Sequence, residues 1–368
     1  MTPISQLPAP LRAVALGMIS LAAIGAALVI ALVLHPDLAP RGLDNLCRWD
    51  CGWYRSIADG GYQVDPKPGD LQANYAFYPA FPGAARLVML LTGLGFAHAA
   101  LLLNAFCTML FAWLALANRE VLLLRSDRDT AIFVLAFLLS PWSLYNHIPY
   151  TEMSFNLMVL ATFVAWRREQ FVAAALCGFV LTATRVTGIF LPLMLLLELV
   201  LRERWRVLDL LRAPDARFRA LAIMPLGGLA FFIYLGFHVG DPLASFRIQA
   251  SWNQAIRNPI ETLIGGALTK SRDGYLSLVA FIVPTLLVLA GWWRGRVPFA
   301  LAMTATLIAC SAVMSGLMST PRHTLSFFPV YLLVPMLPRL LQWLVLACLA
   351  LVQGVFVYFW VLGNGALV

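Results

Sequence analysis

The chain has 368 residues, of which 61% are hydrophobic and 12% charged, with a mean hydropathy of +0.81 and a formal charge of +8. No water-soluble domain of that length can bury so much apolar surface, so its solvent is a bilayer. The positive charge does not point to nucleic acid: the arginines stand between apolar runs and read as topology determinants.

In chain order, the first span is Ala13–Leu34, with Arg12 on its flank. It is long enough to cross and no small-residue cleavage site follows it, so a retained signal-anchor is expected. A polar loop rich in Pro, Gly and Asp runs from His35 to Asn74. The run Tyr75–Phe96 is apolar but broken by Pro79, Pro82, Gly83 and Arg86, which suggests an interfacial or re-entrant helix. Spans follow at His98–Ala117, Ala131–Tyr145 and Thr151–Trp166. Phe171–Thr184 and Val186–Leu201 are short and meet at a polar elbow, Arg185-Val186-Thr187-Gly188, as the floor or mouth of a cavity does. After the arginine-rich loop Arg202–Arg219 come Leu221–Phe237, the polar segment His238–Gly274, and spans at Tyr275–Trp293, Val297–Leu317, Leu325–Leu337 and Leu340–Leu362.

The expectation is an all-α integral membrane protein with about 11 transmembrane helices, in a range of 10 to 12, and interfacial helices in the first outer loop. It reads as one polytopic domain over 1–368: the first span at 13–34, an outer loop at 35–97, central spans at 98–237, an outer amphipathic loop at 238–274 and C-terminal spans at 275–362. If Arg12, Arg119–Arg128, Arg167-Arg168, Arg202–Arg219, Arg294–Arg296 and Arg339 are cytoplasmic, that side holds 15 of the 26 Lys and Arg. The first loop, the His238–Gly274 segment and the Ser319–His323 turn then face outward.

Polar residues in such a chain need a reason. Cys47-Arg48-Trp49-Asp50-Cys51-Gly52-Trp53-Tyr54-Arg55 sets one carboxylate among arginines and aromatics at the mouth of the first span. An interfacial helix accounts for the Trp and Tyr but not for Asp50 between them. Trp49, Trp53 and Tyr54 are suited to cover a sugar face or a lipid chain. Cys47 and Cys51 stand four apart, so a helix puts them on one face with Cα atoms near the upper limit for a bridge. Cys107, Cys177, Cys310 and Cys348 lie in apolar runs and read as small buried hydrophobes.

Glu152 sits at an outer helix end, either as a first-turn acid favoured by the helix dipole or as the ion-pair partner of Arg185, and is a candidate for the sugar-binding set. Arg247, Gln249 and Trp252 lie on an interfacial amphipathic stretch after Gly240-Asp241-Pro242 and can anchor it or face a sugar. Arg322 in Ser319-Thr320-Pro321-Arg322-His323 is the first choice for a phosphate contact, since a guanidinium offers an oxyanion several donors. The alternative is a headgroup contact by a snorkelling side chain. His323 can donate beside it, and Arg185 is the second choice. No metal-ligand spacing, Walker A loop, GxGxxG, HExxH or GxSxG is present.

Arg48-Trp49-Asp50-x-Gly52-Trp53-Tyr54-x-x-Ile57-Ala58-x-x-Gly61-Tyr62 resembles the first-loop signature of the GPI mannosyltransferase 2 (PIG-V-like) family. So do, in family order, Phe77-Tyr78-Pro79-Ala80-Phe81-Pro82, Pro149-Tyr150-Thr151-Glu152, Thr184-Arg185-Val186-Thr187-Gly188, Gly240-Asp241-Pro242-Leu243-Ala244 and Pro321-Arg322-His323. The matches span residues 48 to about 330. Two positions depart: Cys51 stands where a small residue such as Ala or Ser is expected, and His323 where Tyr is expected.

The resemblance implies a GT-C-type multispan bundle that takes sugar, mannose in PIG-V-like members, from a polyprenyl-phosphate-sugar on the outer face. By that analogy Asp50 is the catalytic base. The chemistry agrees: no nucleotide sugar reaches the outer face, one carboxylate serves a single inverting displacement, and a phosphate leaving group held by arginine needs no metal. No cofactor is therefore expected. The partners are the lipid-linked donor, a glycolipid or glycan acceptor and the bilayer. Ala, Leu and Arg richness with two lysines suggests a bacterial inner membrane with the site facing the periplasm. The rival reading is a lipid or sugar transporter or flippase, which shares the span count, although no internal repeat is visible.

Overall fold

The computed structural model describes residues 8–64, 72–203, 215–252, 254, 257–268, 272–317 and 319–364. The middle of the arginine-rich loop Arg202–Arg219 lies outside these residues. Among them the chain is all-helical.

The first helix, α1 (Ala9–Leu34), has 26 residues, about 39 Å at 1.5 Å per residue, more than the ~30 Å of a bilayer core. One face packs on α4 (Phe96–Ala117) and on the last helix, α17 (Arg339–Val361). Its other face leaves Val29, Ile30, Val33 and Leu34 exposed, as a lipid-facing surface does. Among the described residues five helical stretches are long and apolar enough to cross: these three, Ala216–His238 and Gly274–Trp293. Shorter apolar helices stand beside them, namely α3 (Ala80–Thr92), α8 (Phe171–Thr182) and α15 (Phe299–Met314).

The run read as interfacial is α3. Its 13 residues rise about 20 Å, and Gly93, with φ of 72°, closes it through an N–H to the Met89 carbonyl. Two expected spans differ in form. Ala131–Tyr145 is α5 (Asp127–Leu138) followed by a break at Ser140-Pro141 and the single turn α6 (Leu144–His147). The Ser126 side chain caps α5 by accepting from the Asp129 N–H, and Pro141 prevents its continuation. Leu325–Leu337 contains a 3-10 segment, Phe328–Met336, with Pro329 in its first turn and Pro335 inside it, where the missing N–H removes an α-helical hydrogen bond. That segment packs on α5. There Phe328 meets Phe111, Phe133 and Phe137 at the centre of the main core.

The bundle has two polar ends. Arg12, at the start of α1, pairs with Asp127 at 2.5 Å, and Arg119 pairs with the same carboxylate. Arg167, at the end of α7 (Glu152–Arg167), and Arg202, at the end of α9 (Phe190–Arg202), both pair with Glu198, at 2.9 and 2.7 Å. The arginines of the basic flanks thus pair with Asp127 and Glu198 at the end where α1 begins. Asp50, Glu152 and Arg185 occupy the other end.

Candidate active site

α2 (Asp50–Gly60) opens on the acid singled out in the first loop. The Cys47–Cys51 disulfide brackets it, with Cα atoms 5.2 Å apart. The helical spacing argument does not apply, because Cys47 precedes the helix and the chain reverses at Trp49, whose φ is 46°. A tryptophan in that region is strained by about 1–3 kcal/mol, and the surrounding contacts have to hold it there.

Those contacts come from the last helix. Trp49 meets Trp360 edge to face at 4.5 Å, and the Trp360 Nε1–H donates to the Leu46 carbonyl at 3.2 Å. Arg48 donates to the carbonyl of Val361, where α17 ends and its carbonyls lack intrahelical partners. Trp49 and Arg48 are therefore anchors for the loop.

Asp50 faces the other way, toward Arg322, which belongs to the six-residue helix α16 (Thr320–Leu325). Nη1 of Arg322 donates to Asp50 Oδ2 at 2.6 Å, and its Nε donates to Glu152 Oε1 at 2.6 Å. Glu152 Oε1 also accepts from Arg185 Nη1 at 2.9 Å. The guanidinium of Arg322 lies 4.9 Å from the Tyr145 ring centroid and 4.6 Å from that of Tyr150. Cation–π contact of this kind favours a desolvated cation. The side chain of Glu152 is 1% exposed and that of Asp50 22%.

Arg185 Nη2 lies 2.9 Å from His323 Nδ1. A guanidinium only donates, so Nδ1 accepts and the ring proton sits on Nε2. Burial, followed by the charges of Arg185 and Arg322, holds the His323 imidazole well below its usual pKa, which agrees with a neutral ring. The cluster then holds two cations and two carboxylates. No third His, Cys or acid joins Asp50 and Glu152 in a metal-like group among the described residues.

The backbone around the cluster is set by buried amides that the sequence reading passed over. Asn104 donates to the carbonyls of Ile148 and Tyr150 at 2.5 and 3.1 Å, shaping the turn before Glu152. Asn156, one turn into α7, donates to the carbonyls of Glu152 and Ser326 at 2.8 and 2.9 Å and accepts from the Phe328 N–H. It thereby ties the start of α7 to the segment that follows Arg322. The Tyr150 hydroxyl accepts from the Asp50 N–H at 3.2 Å and donates to the Arg48 carbonyl at 3.0 Å. Asparagines inside apolar helices were the available signal, since such a group needs buried partners. At the elbow after α8, a Cβ on Gly188 would collide with the Leu181 carbonyl, so glycine alone lets the chain turn there beneath Arg185.

The aromatic residues separate into two sets. Tyr54 is buried, edge-on to Phe77, Phe81 and Tyr150, and belongs to the core under the site. Trp53 stays half-buried, stacked on Phe77 and edge-on to Trp252 at 5.7 Å. Gln249 donates to the Ala76 carbonyl at 3.4 Å, which brings this stretch onto the first loop. Arg247 does not join the cluster: its side chain is 72% exposed and pairs with Asp241 at 3.0 Å.

No protein-family model and no curated protein matches the chain. A solved structure of ArnT from Cupriavidus metallidurans bound to undecaprenyl phosphate is similar, with a TM-score of 0.52 at 17% identity, over 94% of this chain and 76% of that one. The chain shares the multispan all-helical fold of that protein. At that identity the likeness speaks for architecture, and chemistry has to be argued from the site.

Proposed function

We propose that this protein is an integral membrane glycosyltransferase that moves a hexose, mannose by the family resemblance, from a polyprenyl-phosphate-sugar to a glycolipid or glycan acceptor. The observation that carries the reading is the pairing of Asp50 with Arg322 at 2.6 Å. It sets a candidate base and a candidate phosphate ligand side by side at the mouth of a bundle whose fold is also that of a protein bound to undecaprenyl phosphate.

In this reading Asp50 takes the proton of the acceptor hydroxyl while that oxygen attacks the anomeric carbon from the face opposite the phosphate, with inversion. The phosphate departs as an anion, and Arg322, Arg185 and His323 supply N–H donors to it. Trp53, with Phe77 and Trp252, offers an aromatic wall for the sugar or the first isoprene units. Trp49, Tyr54 and Glu152 shape the site from beneath. Asp50 and Glu152 already serve arginine as acceptors, which fits chemistry that does not depend on a metal.

The arginine pairs at the opposite end suit a cytoplasmic face, so the site opens outward, to the periplasm in a bacterial inner membrane. A transporter would favour acids deep within its spans, whereas Asp50 and Glu152 stand at helix N-termini. The test is transfer by reconstituted protein from polyprenyl-phosphate-mannose to total membrane lipid, read by mass spectrometry as an added hexose. Wild-type protein is expected to form the product and Asp50→Asn to form none. Substrate accumulation in vesicles without a covalent product would establish the transporter instead.

A further inference from the structure

The two carboxylates on Arg322 are not equivalent. Glu152 binds the stem side of the guanidinium, through Nε, and holds Arg185 with the same oxygen. It is 1% exposed, and its second oxygen, Oε2, has no partner among the described residues. Its charge therefore depends on these two arginines. Asp50 binds at the tip, through Nη1, and its side chain is 22% exposed. The groups facing the pair are Tyr54 from α2, Tyr145 from α6, Tyr150 before α7, Arg185 from the elbow and His323 from α16. With His323 neutral, the two cations and two carboxylates cancel. An anion entering this site meets no spare positive charge unless a cation changes partner.

We propose that Asp50 and the phosphate of a lipid-linked ligand compete for the Nη1 end of Arg322, while Glu152, as a positioning residue, keeps the guanidinium in place during the exchange. This rests on the glycosyl-transfer reading and adds an order of events to it. In the displacement the acceptor O–H bond breaks and its proton goes to Asp50. The acceptor oxygen bonds to the anomeric carbon, and the bond from that carbon to the phosphate oxygen breaks with its electron pair left on the phosphate. Negative charge leaves Asp50 as it grows on the leaving group. Arg322 changes partner at one nitrogen when the donor phosphate binds, so the base is released before the displacement begins.

The experiment measures the affinity of undecaprenyl phosphate for the full chain in lipid nanodiscs. Asp50→Asn is expected to bind about tenfold tighter than wild type, because the competitor for a charge-assisted hydrogen bond is gone. In an Arg322→Ala background the gain from Asp50→Asn disappears. Arg322→Lys serves as the second background, since Ala leaves the buried Glu152 with Arg185 alone and can impair folding; with a single ammonium in place of the fork, the gain shrinks. In a Glu152→Gln background the gain exceeds tenfold, since Asp50 is then the sole carboxylate on Arg322; a purely structural Glu152 would leave the gain unchanged. Equal affinities of wild type and Asp50→Asn, or an undiminished gain without Arg322, overturn the exchange and leave the transferase reading standing. Absence of binding by every variant removes the lipid-phosphate reading and the exchange together.

Discussion

The two polar ends of the bundle use the same residue types differently. At the end where α1 begins, Asp127 takes Arg12 and Arg119, and Glu198 takes Arg167 and Arg202. The side chains of Asp127 and Arg119 are more than a third exposed, and that of Arg202 is 65% exposed. Water screens the Arg119 and Arg202 contacts, and such contacts carry little energy, while the Arg167–Glu198 pair is less exposed. At the other end Glu152 and Arg322 are removed from water, and their charges persist because each has a partner at hydrogen-bond distance. Arginine–carboxylate pairing alone therefore does not mark the site. Nor do a shared guanidinium or a ring contact by themselves, since Arg217 is shared by Glu203 and Asp215 and Arg167 lies over Phe163; the burial of both Glu152 and Arg322, with two tyrosine rings against that guanidinium, does.

Perturbing both ends tests this difference. The largest effect is expected from Asp50→Asn, which keeps the shape of the loop and removes the base: transfer falls by about 10²- to 10⁴-fold with an unchanged melting temperature. A rate within twofold of wild type would take Asp50 out of the chemistry. Next comes Arg322→Ala, which strips one of two cationic partners from a buried carboxylate and should cost roughly 3 kcal/mol in a denaturant titration in detergent. A cost under 1 kcal/mol would mean that water reaches Glu152 freely. Replacing both Cys47 and Cys51 with Ser opens a small loop around the base. By chain entropy it should cost about 2 kcal/mol, and transfer should drop further than stability does as Trp49 relaxes. Unaltered transfer would leave the bridge a purely stabilising role. The smallest effect is expected from Arg119→Ala at the opposite end, about 0–1 kcal/mol with transfer unchanged. A large loss of transfer there would erase the contrast between the two ends.

Much of the fold was readable in the sequence because bilayer spans are written in composition. The expected His98–Ala117, Tyr275–Trp293 and Leu340–Leu362 correspond to helices Phe96–Ala117, Arg272–Trp293 and Arg339–Val361. The reading failed where hydropathy stays high while backbone hydrogen bonding changes, at Pro141 and between Pro329 and Pro335. The Glu152–Arg185 pair was legible, since two costly charges in one membrane protein seek each other. The three-way junction on Arg322 was not, because it joins residues 50, 152 and 322, whose positions along the chain say nothing of their approach. Nor was the bridge between Cys47 and Cys51, which depends on one reversed residue, Trp49.

Apolar content and arginine spacing determined by themselves that this is a multispan membrane protein with a polar, aromatic loop after its first helix, because each span must satisfy its own backbone in lipid and each charged flank must stay outside it. Tertiary structure alone decided which of the loop's residues matter. Packing against Trp360 and Val361 turns Trp49 and Arg48 into anchors and leaves Asp50 to meet Arg322. The value of a charged pair depends on the water removed from around it, and that is a property of the assembled helices.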